Sequence, residues 1–117
     1  MSPTPFEEIA GLDRLIHDPS RLAILTALSA CERADFLFLQ RITGLTKGNL
    51  SSHLMKLEEA RLIEIEKRFV DKKTQTFARL TGPGREAIEG YWREMDALRK
   101  SAARWRPATG GLVPATW

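Results

Sequence analysis

Apolar residues recur three and four apart along most of this chain and every second position in one central stretch. The first spacing marks helices with one buried face, the second half-buried strands. Ile9, Leu12, Leu15 and Ile16 predict a first helix over residues 6–18. Leu22, Ile24, Leu25 and Leu28 predict a second over residues 20–30. Asp18 caps it, and Pro19 takes the first helical position, where a missing amide hydrogen is tolerated. Residues 34–36 predict a short strand that places Phe36 in the core.

The chain is organised around residues 37–57, which read as two short helices joined by a tight turn. Leu39 and Ile42 give the first an apolar face, and Gly44 ends it where a left-handed residue is needed. Leu45 fills the corner, and the Thr46 hydroxyl caps the second helix. Leu50, Leu54 and Leu57 fall on one face of it. Gly48, Asn49, Ser51, Ser52, Met55 and Lys56 point the other way, with Lys47 at the start. A solvated helix face is usually rich in Glu and Lys, whereas this one is small, polar and nearly free of acid. Such side chains let a helix sink into a major groove and bond to base edges and phosphates. The competing reading is a small-residue face packed on another helix.

Alternation from Ile63 to Glu66 and again from Thr76 to Leu80 predicts two strands. Between them lies a loop, residues 67–75, with Lys67, Arg68, Lys72 and Lys73. A helix-turn-helix followed at once by a basic hairpin is a winged helix. The sequence resembles the winged-helix transcriptional regulators of the MarR/ArsR type over roughly residues 12–100. The residues that carry the likeness run from Gly44 through Leu45, Thr46, Lys47, Gly48, Asn49, Leu50, Ser51, Ser52 and His53 to Leu54. Leu57-Glu58, Leu62-Ile63 and Leu80-Thr81-Gly82-Pro83-Gly84-Arg85 complete it. The second helix, with Asp18-Pro19-Ser20-Arg21-Leu22, also resembles that family's central support. One departure is Arg61, which stands where the family usually has a helix-ending glycine. A left-handed non-glycine residue costs about 1 kcal/mol, so either Arg61 accepts that cost or the helix ends differently.

The resemblance and the pattern together imply an α+β, mainly α fold. It is a winged helix-turn-helix (three-helix core, β-hairpin wing) with a long C-terminal dimerisation helix. Its parts are a flexible N-terminus at 1–5, the DNA-binding domain at 6–80, the dimerisation helix at 81–104 and a flexible tail at 105–117. Thr81 caps the last helix, and Pro83 lies in its first turn. Ile88, Tyr91, Trp92, Met95, Leu98 and Ala102 form its broad apolar stripe. That stripe either folds back on the first helix or forms a homodimer interface. The dimer is favoured, since Tyr, Trp and Met are enriched at interface cores. Its expected members are Leu12, Leu15, Ile16, Ile88, Tyr91, Trp92, Met95 and Leu98. Trp105 and Trp117 lie in a Gly/Pro-broken tail without periodicity; they are either disordered or docked on the partner.

The 117 residues suit one domain, and no apolar run approaches the roughly 20 residues of a membrane span. The acidic N-terminus lacks a signal pattern, so a cytoplasmic location without membrane partners is expected. The net charge is +3, unevenly placed: −2 over residues 1–46, +3 over 47–80 and +2 over 81–117. The positive excess begins at the acid-poor helix, as a phosphate-binding surface requires. Cys31 is the only cysteine, which excludes an intrachain disulfide and a Cys-pair metal site. Acidic neighbours Glu32 and Asp35 favour a buried, inert thiol over a redox sensor. With only His17 and His53 besides, no metal and no cofactor are expected. His53 reads as packed or phosphate-touching. Arg21 either touches a phosphate or forms a structural ion pair.

The expected function is that of a sequence-specific regulator binding double-stranded DNA, by family default a homodimeric repressor on a pseudo-palindromic operator. Asn49, Ser51 and Ser52 are the expected base readers, and Met55 is placed to meet a thymine methyl or to remain an exposed apolar residue. Thr46, Lys47, His53 and Lys56 suit phosphates, Gly48 belongs to the same DNA-binding surface, and Arg68, Lys72 and Lys73 in the wing suit the backbone or minor groove. Two such units would read half-sites roughly 34 Å apart. A small-molecule effector at an aromatic seam near Tyr91, Trp92 and Trp105 stays open. No catalytic triad, phosphate loop or dinucleotide fingerprint is present, so an enzyme is not expected. The alternative is a winged-helix protein-interaction module, disfavoured by the basic wing and acid-poor face. RNA binding ranks lower, since the predicted strands offer no aromatic platform.

Overall fold

Four helices and a β-hairpin contribute buried residues to one core. The computed structural model describes residues 2–107 and 111. In chain order it contains α1 (Pro5–Ala10), α2 (Pro19–Ser29), β1 (Ala34–Asp35), α3 (Phe36–Thr43) and α4 (Lys47–Glu59). Then follow β2 (Ile63–Val70), β3 (Lys73–Leu80) and α5 (Gly82–Arg104). The three antiparallel strands lie in the order β1-β3-β2. Ile24, Leu25 and Leu28 of α2, Leu39 of α3, and Leu50 and Leu57 of α4 are fully buried against Ile63 and Ile88. The predicted winged helix with a long C-terminal helix is thus the observed fold. Among the described residues no helix is long and apolar enough to cross a membrane.

The helix ends follow local chemistry. Asp18, Asp35, Thr46 and Thr81 each stand at an N-cap and accept an orphan amide hydrogen. At the end of α4, Leu62 N–H donates to the Leu57 carbonyl and Arg61 N–H to that of Glu58. This is a Schellman ending, and Arg61 occupies its left-handed position at φ 64°. The helix therefore ends where a glycine would have ended it.

Four local expectations need correction. The first helix stops at Ala10 and does not reach Asp18. Gly11 ends it, and the Asp13 carboxylate then accepts from Leu15 N–H, holding a non-helical turn. Leu12 and Ile16 still reach the core from that turn. The helix also starts one residue early, at Pro5, under a capping box between Thr4 and Glu7. Ile42 is 51% exposed: α3 turns Leu39 inward, with Phe36 and Thr43 beside the interior. Phe36 itself opens α3 rather than ending β1, although it packs against the core. Finally, the nine-residue loop predicted between the strands is nearly all strand. Only Asp71 and Lys72, both at positive φ, turn the chain between Val70 and Lys73. Charged side chains do not oppose a ladder that leaves them in water.

Gly84 shows how tightly α5 is seated. A Cβ there would lie 1.8 Å from the Leu62 carbonyl oxygen, which also accepts from the Thr81 amide and hydroxyl. Backbone against backbone fixes the start of α5 on the end of α4. From there α5 packs on α2 and α1 of the same chain. Leu12, Ile16, Ile88, Tyr91 and Leu98, expected at a dimer seam, lie in the core of the single chain. Leu15 and Met95 are half-buried and Trp92 is 46% exposed. Trp105 packs edge-on to Phe6 with ring centres 5.1 Å apart. Trp117 lies outside the described residues.

Candidate nucleic-acid interface

The leucine stripe of α4 decides what its other face can do. Leu50, Leu54 and Leu57 are held inside, so Lys47, Gly48, Asn49, Ser51, Ser52, Met55 and Lys56 all turn out to solvent. Met55, at 58% exposure, is the large apolar side chain among them. Acidic residues enter the helix only at its C-terminal end, Glu58 and Glu59. Thr46 Oγ accepts the Asn49 amide hydrogen at 3.1 Å, which leaves its hydroxyl hydrogen free to donate to a phosphate.

His53 and Arg21 settle the helix from beneath. An Arg21 Nη donates to His53 Nδ1 at 3.1 Å, Nε to the Leu15 carbonyl at 2.6 Å, and the other Nη to the Arg14 carbonyl at 3.2 Å. Arginine has no acceptor, so His53 presents an unprotonated Nδ1 and carries its hydrogen on Nε2. Of the two readings of Arg21, the structure shows the internal one: it ties the turn after α1 to α4. Asp18 supports it, accepting the Arg21 amide at 3.0 Å. That bond, aided by the Arg21 charge, holds the Asp18 carboxyl below its usual range against the opposing effect of burial.

The wing has two unlike faces. On the outer one, Glu66 accepts from Arg68 at 2.9 Å and Glu64 from Arg79. Arg33 and Arg68 both lie over the Phe77 ring, 5.3 and 5.9 Å from its centre. The Arg68 hydrogen bond holds the Glu66 carboxyl below its usual range. The inner face of the hairpin carries no acid, and Asp35 at the N-cap of α3 is the acid that lines the cleft beside it. Ile65, Lys67, Thr74 and Thr76 face Leu37 of α3 and Lys47, Ser51 and Met55 of α4 across a cleft of about 550 Å³.

Most of the predicted set therefore comes together. Thr46, Lys47, Gly48, Asn49, Ser51, Ser52 and Lys56 form one exposed surface, with His53 half-buried at its edge. Lys72 is exposed at the wing tip and Lys73 starts β3. Arg68 is apart from them, on the outer face, engaged with Glu66. Lys67, Thr74 and Thr76 were not among the predicted contacts, yet they share the cleft with α4. The signal for Lys67 was its parity: it lies two residues from Ile65 and four from Ile63, so it shares their side of the strand.

An exposed helix free of acid through its first three turns, beside a two-stranded wing, defines a winged helix-turn-helix DNA-binding module. The chain belongs to the winged helix DNA-binding domain family, whose model matches residues 20–99. It is similar to protein MJ0432 of Methanocaldococcus jannaschii, with 33% identity over 88 residues, 75% of this chain and 96% of that one. The transcriptional regulator homologue of Pyrococcus horikoshii OT3 superposes with a TM-score of 0.76 at 28% identity, over 84% of this chain and 96% of that one. The transcriptional repressor BigR of Xylella fastidiosa shares the fold, with a TM-score of 0.56 at 24% identity over 79% and 87% of the two chains. The chain is a DNA-binding transcriptional regulator.

Proposed function

We propose that the protein is a homodimeric repressor that reads a pseudo-palindromic operator with one α4 in each of two major grooves. The observation that carries this reading is the acid-free surface of Lys47, Gly48, Asn49, Ser51, Ser52, Met55 and Lys56, level with a basic wing. Asn49 pairs with adenine, while Ser51, Ser52 and Met55 complete the base contacts. Lys47, Lys56, the Thr46 hydroxyl and His53 Nε2–H hold phosphates. Lys67, Lys72 and Lys73 follow the backbone beside the wing, with Arg68 in reserve behind its ion pair. The dimer forms along α5 and the turn after α1, where Trp92, Met95 and Leu15 retain free surface and the buried residues of the stripe support them. A dimer seated on its operator represses by occluding polymerase.

The test is selection from random-sequence duplexes at two salt concentrations. Enrichment of a two-fold-related sequence is the expected result, with log K falling against log[salt] at a slope of about −5 for six phosphate contacts. Binding without enrichment would contradict a sequence-reading role.

A further inference from the structure

We propose that Phe69 is an apolar wedge carried by the wing into the minor groove of double-stranded DNA, where it selects a flexible pyrimidine–purine step. The proposal rests on the reading of α4 as the major-groove element. Phe69 is 75% exposed, more than any other large apolar side chain among the described residues. It pairs across the ladder with Thr74, one rung from the turn. Its parity matches Ile65 and Lys67, so it leaves the sheet on the side that faces α4. Ile65 on that side packs against the core, whereas Phe69 is too far along the hairpin to do so. Among the described residues, Phe69 is not part of the core cluster or of the partly buried apolar residues packed against it.

The hairpin is shaped to carry it. Asp71 and Lys72 are the whole turn, at φ 48° and 65°. The ladder runs to its last rung, Val70 with Lys73, so the hairpin stays two-stranded to its end. A two-stranded ribbon is wider than the minor groove, about 6 Å, so the tip straddles the groove and only a side chain enters it. Residues 67–73 hold four basic side chains and one acid, Asp71. Lysines at the rim complement the two phosphate rows while the apolar ring meets the floor. Inserted phenylalanine partly unstacks a base step, and the cost is least at TA and CA steps. The wing thereby gives specificity where it makes no hydrogen bond to a base.

The experiment uses the full chain and duplexes carrying the selected operator, with the step under the wing set to TA or to GC. Wild type is expected to prefer TA by about tenfold and to bend it. Phe69→Ala is expected to lose that preference and the bend, read by fluorescence transfer between labelled ends, and Phe69→Leu to retain most of both. An unchanged TA preference in Phe69→Ala would overturn the wedge and leave the reading of α4 intact. Equal loss on both duplexes would also overturn it, since it would mark a surface contact without insertion. No binding by wild type to any duplex would overturn both readings. Circular dichroism confirms the fold of each variant, since the ring is three-quarters exposed.

Discussion

The two longest helices are built alike on one side and differently on the other. Each starts from a threonine cap, Thr46 for α4 and Thr81 for α5, and each buries a stripe of large apolar residues. The free face of α5 is an ordinary solvated one. Glu86, Glu89, Glu94 and Asp96 mix with Arg85, Arg93, Arg99 and Lys100, and Asp96 pairs with both Arg99 and Lys100. The free face of α4 has serines, a glycine and an asparagine in place of those charges. Burial explains the stripes, and solubility explains the mixed charges of α5. Neither explains a face of short polar groups flanked by lysines. The difference separates the surface that meets a polyanion from the surface that meets water.

The sharpest way to break the comparison is to unseat α5. Gly84→Ala would place a methyl group against the Leu62 carbonyl, and the first turn would have to shift. A loss of about 3 kcal/mol is expected from such overpacking, measured by urea denaturation. A change under about 0.5 kcal/mol would show that the junction between α4 and α5 is loose.

The support beneath α4 comes next. Asp18→Ala removes the cap of α2 and the partner of the Arg21 amide, and should cost about 1 kcal/mol at neutral pH. The native carboxyl lies below its unfolded value, so the folded state binds fewer protons near the carboxylate range. Its stabilisation is complete above the unfolded value and is lost as pH falls through the native one. The wild-type advantage over Asp18→Ala should therefore shrink on acidification. An advantage that held constant down to pH ~2, below the usual carboxylate range, would remove Asp18 from this role.

The smallest of the stability effects is expected at the other end of α4. Arg61 holds φ at 64°, and Arg61→Gly relieves that strain while giving the unfolded chain more freedom. A net gain of about 0.5 kcal/mol is expected from these opposing contributions. Melting temperature reads it, and a loss of stability would mean that the Arg61 side chain contributes to the core-facing corner.

Much of this was legible in the sequence, and the reasons differ by element. The helix-turn-helix was readable because its signals are local: Gly44 for a left-handed turn, Thr46 for a cap, and three leucines on one face. The site on α4 followed, since a helix fixes the direction of each side chain relative to its stripe. The wing was harder. Alternation of apolar residues marks only the end of each strand away from the turn, while backbone pairing and a two-residue turn carry the ladder on to Val70 and Lys73. Its polarity was partly hidden as well. Arg68 lies on the outer face beside Glu66, two residues back on its own strand, and Phe77, brought there by the sheet's register. The first helix was overextended because Leu12 and Ile16 reach the core from a turn held by Asp13. Spacing alone cannot separate that turn from a helix.

The central claim is that the free face of α4, and not that of α5, meets DNA. It is tested by placing one carboxylate on each. Ser51→Glu and Ala103→Glu both change exposed positions and alter the net charge equally. Affinity for the selected operator should fall roughly a hundredfold or more for Ser51→Glu, as like charges brought together at an interface cost several kcal/mol. It should change less than about threefold for Ala103→Glu, whose only electrostatic effect is distant and screened. Equal losses for the two variants, with both folded, would contradict the claim.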